Sequence, residues 1–102
     1  YIVKNASKDA DISVIEGVMG LYDGYGIDLD DCTSSYTSKM LKAPVILVIN
    51  AKAMATSAAA MVLGYKMLDK NVNIAGVITN NVKSESHYNI LKEEYFDKIK
   101  LM

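Results

Sequence analysis

Three short apolar runs constrain this chain more than any other feature: "DISVIEG" from Asp11, "APVILVIN" from Ala43 and "NIAGVITN" from Asn73. Each is rich in Val and Ile and closes on Gly or Asn, the pattern of a buried strand that runs into a loop. They recur at about thirty residues, the repeat of successive βαβ units. Between and after them lie segments of helical character: "SSYTSKMLK" from Ser34, "ATSAAAMVLGYKMLDK" from Ala55 and "SESHYNILKEEYFDKI" from Ser84. Pro44 ends the first of these and starts the next strand, and Ser84 is placed to cap the third. The second carries Ala, Met and Leu on most sides and is expected to be largely buried. Strands of nearly continuous apolar character alternating with helices predict an α/β fold, a parallel sheet with helices on both faces.

At 102 residues, 51% of them hydrophobic, the chain has material for one core and not two. Its net charge of −1 and pI of about 5.7 give no general attraction to nucleic acid or to an anionic membrane. All of its 11 basic residues are lysine, so a phosphate site here must use lysine, backbone amides or a metal rather than the guanidinium fork. Cys32 is the single cysteine. An intrachain disulfide and a CxxC centre are thereby excluded, and a cytoplasmic setting is expected. No apolar run reaches the length of about eighteen residues that suggests a membrane span. The chain opens at Tyr1 and closes on "KIKLM", which reads as the start of a further strand, so a piece of a longer protein is expected.

Ligands of open α/β sheets bind beyond the carboxyl ends of the strands, and there the first run continues as "VIEGVMGLYDG", Val14 to Gly24. Glu16 would end a buried strand, where a carboxylate needs a cation or hydrogen-bond donors. Gly17, Gly20 and Gly24 allow the loop to fold back and bring Asp23 to the same mouth. Two carboxylates so placed suit magnesium and phosphoryl chemistry; the alternatives are a Glu that emerges into solvent and an Asp-Gly turn. Other candidates read as structure. The acidic stretch "DLDD" from Asp28 lacks the glycine and terminal glutamate of a calcium loop. His87, at a polar helix start, reads as a capping or surface residue rather than a base, and Cys32 as packing. Tyr22, Tyr25 and Tyr36 could line a flat ligand or pack at the rim. No GxxxxGK[ST] occurs, so the chain by itself cannot wrap a triphosphate in that loop.

"DISVIEGVMGLYDG" resembles the signature of cobyrinic acid a,c-diamide synthases, and the likeness continues through "KMLKAPVILVINAKAMATSAAAMVLGYKML", "NIAGVITNNV" and "SESHYNILKEE". Cobyric acid and dethiobiotin synthetases share the glutamate and glycine but not "VMGLYDG". The resemblance implies a P-loop NTPase-like, dethiobiotin synthetase-like fold that is incomplete here because the P-loop part is absent. It makes residues 1–102 part of an ATP-dependent synthetase domain, with the glutaminase domain and its own cysteine elsewhere. It further implies amidation of the a and c acetate side chains of cobyrinic acid, with ATP and Mg2+ as cofactors and ammonia derived from glutamine. Glu16 is implied as a magnesium ligand and Asp23 as a catalytic residue acting beside it. Asn80 matches the position expected to hydrogen-bond the adenine edge; without the resemblance it reads as a turn residue. Asn50 stands where many relatives carry Asp and Ala53 where glycine is usual, so that loop receives no function. Amidation of nickel sirohydrochlorin would preserve the same loop. A ParA-like regulatory ATPase or a binding module would share the βαβ pattern without needing "EGVMGLYDG". A sheet without its upstream strand leaves an apolar edge, so self-association of the segment is expected.

Overall fold

The computed structural model describes residues 2–24 and 33–93. Along them run helix α1 (Ile2–Ala6), helix α2 (Ser34–Leu41), strand β1 (Val45–Asn50), helix α3 (Thr56–Leu68), strand β2 (Ile74–Asn80) and helix α4 (Glu85–Lys92). The second and third apolar runs are thus strands, and the three helical segments are helices. Asp28, Cys32 and Tyr25, and the final "KIKLM", lie outside the described residues.

Caps explain the boundaries. The Thr33 hydroxyl accepts from the Tyr36 amide at 3.1 Å and opens α2. At its other end Lys42 takes a left-handed conformation, φ 51°, while the Ala43 amide reaches back to the Ser38 carbonyl at 3.0 Å. That closing bond is the Schellman pattern, which satisfies carbonyls the helix leaves open. Pro44 then bars further helix. As the sequence suggested, Ser84 caps α4 by accepting from the His87 amide at 3.1 Å.

β1 and β2 pair in parallel, with Ile46 opposite Gly76, Val48 opposite Ile78 and Asn50 opposite Asn80. A register shift between Val45 and Ile46 leaves Ala75 as the extra residue on β2. An added Cβ at Gly76 would lie 3.2 Å from Ile46 Cδ1, so the glycine gives the isoleucine room to lie across the sheet. Leu47, Ile49 and Ala51 face one way and meet Ala58, Ala59 and Val62 of α3 and Leu91 of α4 in one core.

Three expectations are corrected. Among the described residues helices cover one face of the sheet, not both: α3 and α4 feed the same core cluster, while Ile46, Val48 and Ile78 on the opposite face are 54%, 60% and 54% exposed. For the same reason α3 is not largely buried. Only Ala58, Ala59 and Val62 are inside, and Met67 and Leu68 face solvent. "DISVIEG" is not a strand: residues 12–17 form no ladder, and Ile12 and Val14 are 82% and 89% exposed. A strand needs a neighbour for its amides and carbonyls, and this segment has none among the described residues.

Two backbone substitutions in opposite directions should each stabilise the chain. Gly64 lies inside α3, and an added Cβ there would meet nothing within 4 Å. Gly64→Ala should gain about 0.5–1 kcal/mol by restricting the unfolded chain. Lys42→Gly should gain a similar amount, about 0.5–1 kcal/mol, because glycine relieves the left-handed penalty at some entropic cost. Urea denaturation midpoints check both.

Candidate functional site

The loop that carries Glu16 and Asp23 is held by its neighbours rather than by a strand of its own. Gly17 lies against the start of α2 so closely that a Cβ on it would stand 2.5 Å from the Ser34 hydroxyl and 3.3 Å from Ser34 Cβ. Three residues on, at Gly20, the carbonyl accepts from the Asp23 amide at 3.0 Å and closes a turn. A side chain at Gly20 would overlap the Asp23 carboxylate, so glycine lets Asp23 fold over the turn. The Ser35 amide donates to the Leu21 carbonyl at 3.0 Å, and Leu21 packs on the core.

Tyr22 is the anchor. Its hydroxyl donates to the Tyr65 carbonyl at 2.6 Å, and the two rings stack with centroids 6.0 Å apart and planes 14° from parallel. Of the two readings of this tyrosine, packing is the one observed. Burial, then the negative charge of Asp69, pushes the Tyr22 phenol above its ordinary pKa. Asp69 itself pairs with Lys39 at 2.7 Å and ties α2 to the end of α3. That hydrogen bond, then the Asn71 amide, holds its carboxyl below the ordinary range.

Glu16 and Asp23 are both exposed. No hydrogen bond or ion pair joins them to each other or to Asn80 among the described residues. Nor does any group of three or more His, Cys, Asp or Glu side chains gather there as a metal cage. Glu16 follows an exposed, unpaired segment, which corrects its expected position at the mouth of a buried strand. Asn80 is where the sequence put it, at the carboxyl end of a strand. It is exposed, and its Oδ1 accepts from the Asn81 amide at 3.0 Å.

Around Asn80 the structure assembles polar groups to which the sequence alone assigned no chemistry. Asn50 ends β1 directly opposite Asn80, and its Oδ1 accepts from Lys52 N at 3.1 Å and from Asn81 Nδ2 at 3.0 Å. Asn81 has φ 62° and Ala53 φ 55°; asparagine tolerates that region, alanine does not. A glycine at position 53 would fit this backbone without strain. His87 binds the same two loops together. Its Nε2 lies 2.5 Å from the Met54 carbonyl and its Nδ1 accepts from Lys83 N at 3.4 Å, so Nε2 carries the proton. The expectation of a capping histidine fits; the reach to Met54 had no sequence signal, because α3 and β2 lie between the two residues in the chain. Two shallow grooves of about 260 and 430 Å³ lie elsewhere, lined by none of Glu16, Asp23 or Asn80. Among the described residues no helix is long and apolar enough to cross a membrane.

Comparison with known proteins gives a consistent set of likenesses. The profile of an AAA domain family matches residues 1–100. A cobyrinate a,c-diamide synthase of Salmonella typhimurium is 53% identical over 85 residues, 83% of this chain and 18% of that protein. One from Listeria monocytogenes serotype 4b is 54% identical over 93 residues, covering 88% of the chain and 21% of that protein. One from Fusobacterium nucleatum is 57% identical over 83 residues, covering 81% and 19%. The chain thus spans about a fifth of the length of these curated relatives. No solved structure matches it.

If Tyr22 anchors the loop, Tyr22→Phe should keep the stacked rings and lose the hydroxyl bond to Tyr65. The expected cost is about 1 kcal/mol. Tyr22→Ala, which also removes the ring contact, should cost more. Denaturation midpoints that leave Tyr22→Phe level with the parent would show that the hydroxyl holds nothing.

Proposed function

The chain belongs to the AAA domain family, and from that premise we propose that it is part of the ATP-dependent synthetase domain of a cobyrinate a,c-diamide synthase. The observation that carries this reading is an identity of 50–57% to proteins of that name over four fifths or more of the chain. In the proposed reaction, ATP phosphorylates an acetate side chain of cobyrinic acid, and ammonia released from glutamine by a glutaminase domain displaces phosphate. Activation is needed because a free carboxylate has a poor leaving group.

The residues present fit a magnesium nucleotide. Magnesium is bound by one or two carboxylates, with water and phosphate filling the remaining positions, and Glu16 is an exposed carboxylate with no competing partner among the described residues. When bound, the ion screens the charge of the phosphoryl group in transfer. Glu16 would hold it. Asp23, kept over its turn by Gly20 and Tyr22, would act beside Glu16 on the metal or on the substrate carboxylate. Asn80 reads the adenine edge: one Oδ1 lone pair is taken by the Asn81 amide, which leaves the other lone pair and both Nδ2 hydrogens for the base.

Glu16→Gln in the full-length enzyme should lower turnover on the order of a hundredfold, since it removes a charged group and almost no volume. Circular dichroism should be unchanged. Turnover equal to the parent at saturating magnesium would count against Glu16 as ligand. Asn80→Ala should raise the KM for ATP roughly tenfold, the size of one lost hydrogen bond, with the KM for the tetrapyrrole unaltered. Assay of the same enzyme on cobyrinic acid and on nickel sirohydrochlorin decides between those two substrates.

A further inference from the structure

The assignment of Asn80 to the nucleobase raises a question that the residue alone does not answer. A carboxamide is nearly symmetric in shape, and a half-turn exchanges its oxygen with its nitrogen. Adenine and guanine present opposite patterns on the edge in question: an amino donor beside a ring acceptor in one, a carbonyl acceptor beside a ring donor in the other. An amide free to turn serves both. Discrimination therefore requires that something hold the oxygen of Asn80 on one side.

We infer that Asn50 and Asn81 form a clasp that orients the Asn80 carboxamide, making Asn50 a positioning residue for nucleotide selectivity; this rests on the reading of Asn80 given above. The chain of contacts is continuous. Asn50 Oδ1 receives Lys52 N at 3.1 Å, which fixes it to its own loop, and Asn81 Nδ2 at 3.0 Å, which fixes it to the other. Asn81 is thereby held at φ 62°, and its amide points at Asn80 Oδ1 over 3.0 Å. An N–H can be met only by the oxygen of a carboxamide. Turning Asn80 over would set its NH2 group against that amide and forfeit the bond. The parallel register makes this possible by setting Asn50 directly opposite Asn80.

The test uses the full-length enzyme and reads the ratio of kcat/KM for ATP to that for GTP, with thermal melting as a control. Asn50→Ala should reduce the preference for ATP roughly tenfold, the size of one hydrogen bond, mainly through KM. Asn50→Asp keeps both acceptor contacts and should retain the preference to within about twofold, a rescue that bulk packing would not produce. Asn81→Gly permits the same φ but has no side-chain donor, so it should reproduce the loss; it also decides the matter if Asn50→Ala does not fold. Parental preference in Asn81→Gly and in any folded Asn50→Ala, alongside its loss in Asn80→Ala, would overturn the clasp and leave the nucleobase reading standing. Unchanged preference in Asn80→Ala would overturn both.

Discussion

The parallel pairing of β1 with β2 is the constraint on which the described structure depends. It aligns two strands by Val48 against Ile78 and Asn50 against Asn80, and both consequences matter. One face of the pair closes over α3 and α4 to make the core. The carboxyl end delivers two loops side by side, where Asn81 bonds Asn50 and His87 bonds Met54 across the gap. A shift of one residue in this register would turn each side chain to the other face and would part Asn50 from Asn80.

The loop from Gly17 to Gly24 is ordered by a different device. Its backbone approaches Ser34 and folds under Asp23 because two glycines leave the space, and Tyr22 then fastens it to α3. The pair Lys39–Asp69 binds α2 to the same helix. A single, partly covered ion pair of this kind offsets its attraction against desolvation and contributes little alone. Here it sits beside a stacked tyrosine pair, and its value is in holding the helix against which the loop rests.

One face of the sheet remains apolar and exposed at Ile46, Val48 and Ile78, and so does the run Ile12, Val14, Ile15. The chain corresponds to about a fifth of the length of its curated relatives, and sheets of parallel type are ordinarily covered on both faces. The composition of these strands was that of a sheet with two covered faces, which the described residues supply on one.

What the sequence determined by itself was local. Periodicity, Pro44, and the hydroxyls of Thr33 and Ser84 set the bounds of α2, β1, α3, β2 and α4, because caps and φ restrictions act within a turn of the residue that carries them. The alternation of these elements made the two strands parallel. The quoted motifs were enough to reach the family. The tertiary structure decided everything that depends on a partner distant in the chain. "DISVIEG" has the composition of a buried strand whether or not a neighbour pairs with it, and none does among the described residues. Asn50 read as an unassigned loop residue until register set it opposite Asn80. Tyr22 was equally a ligand platform or a packing residue until Tyr65 was found beneath it. Burial, pairing and hydrogen bonds between loops are properties of two segments at once, and neither segment's sequence contains the other's position.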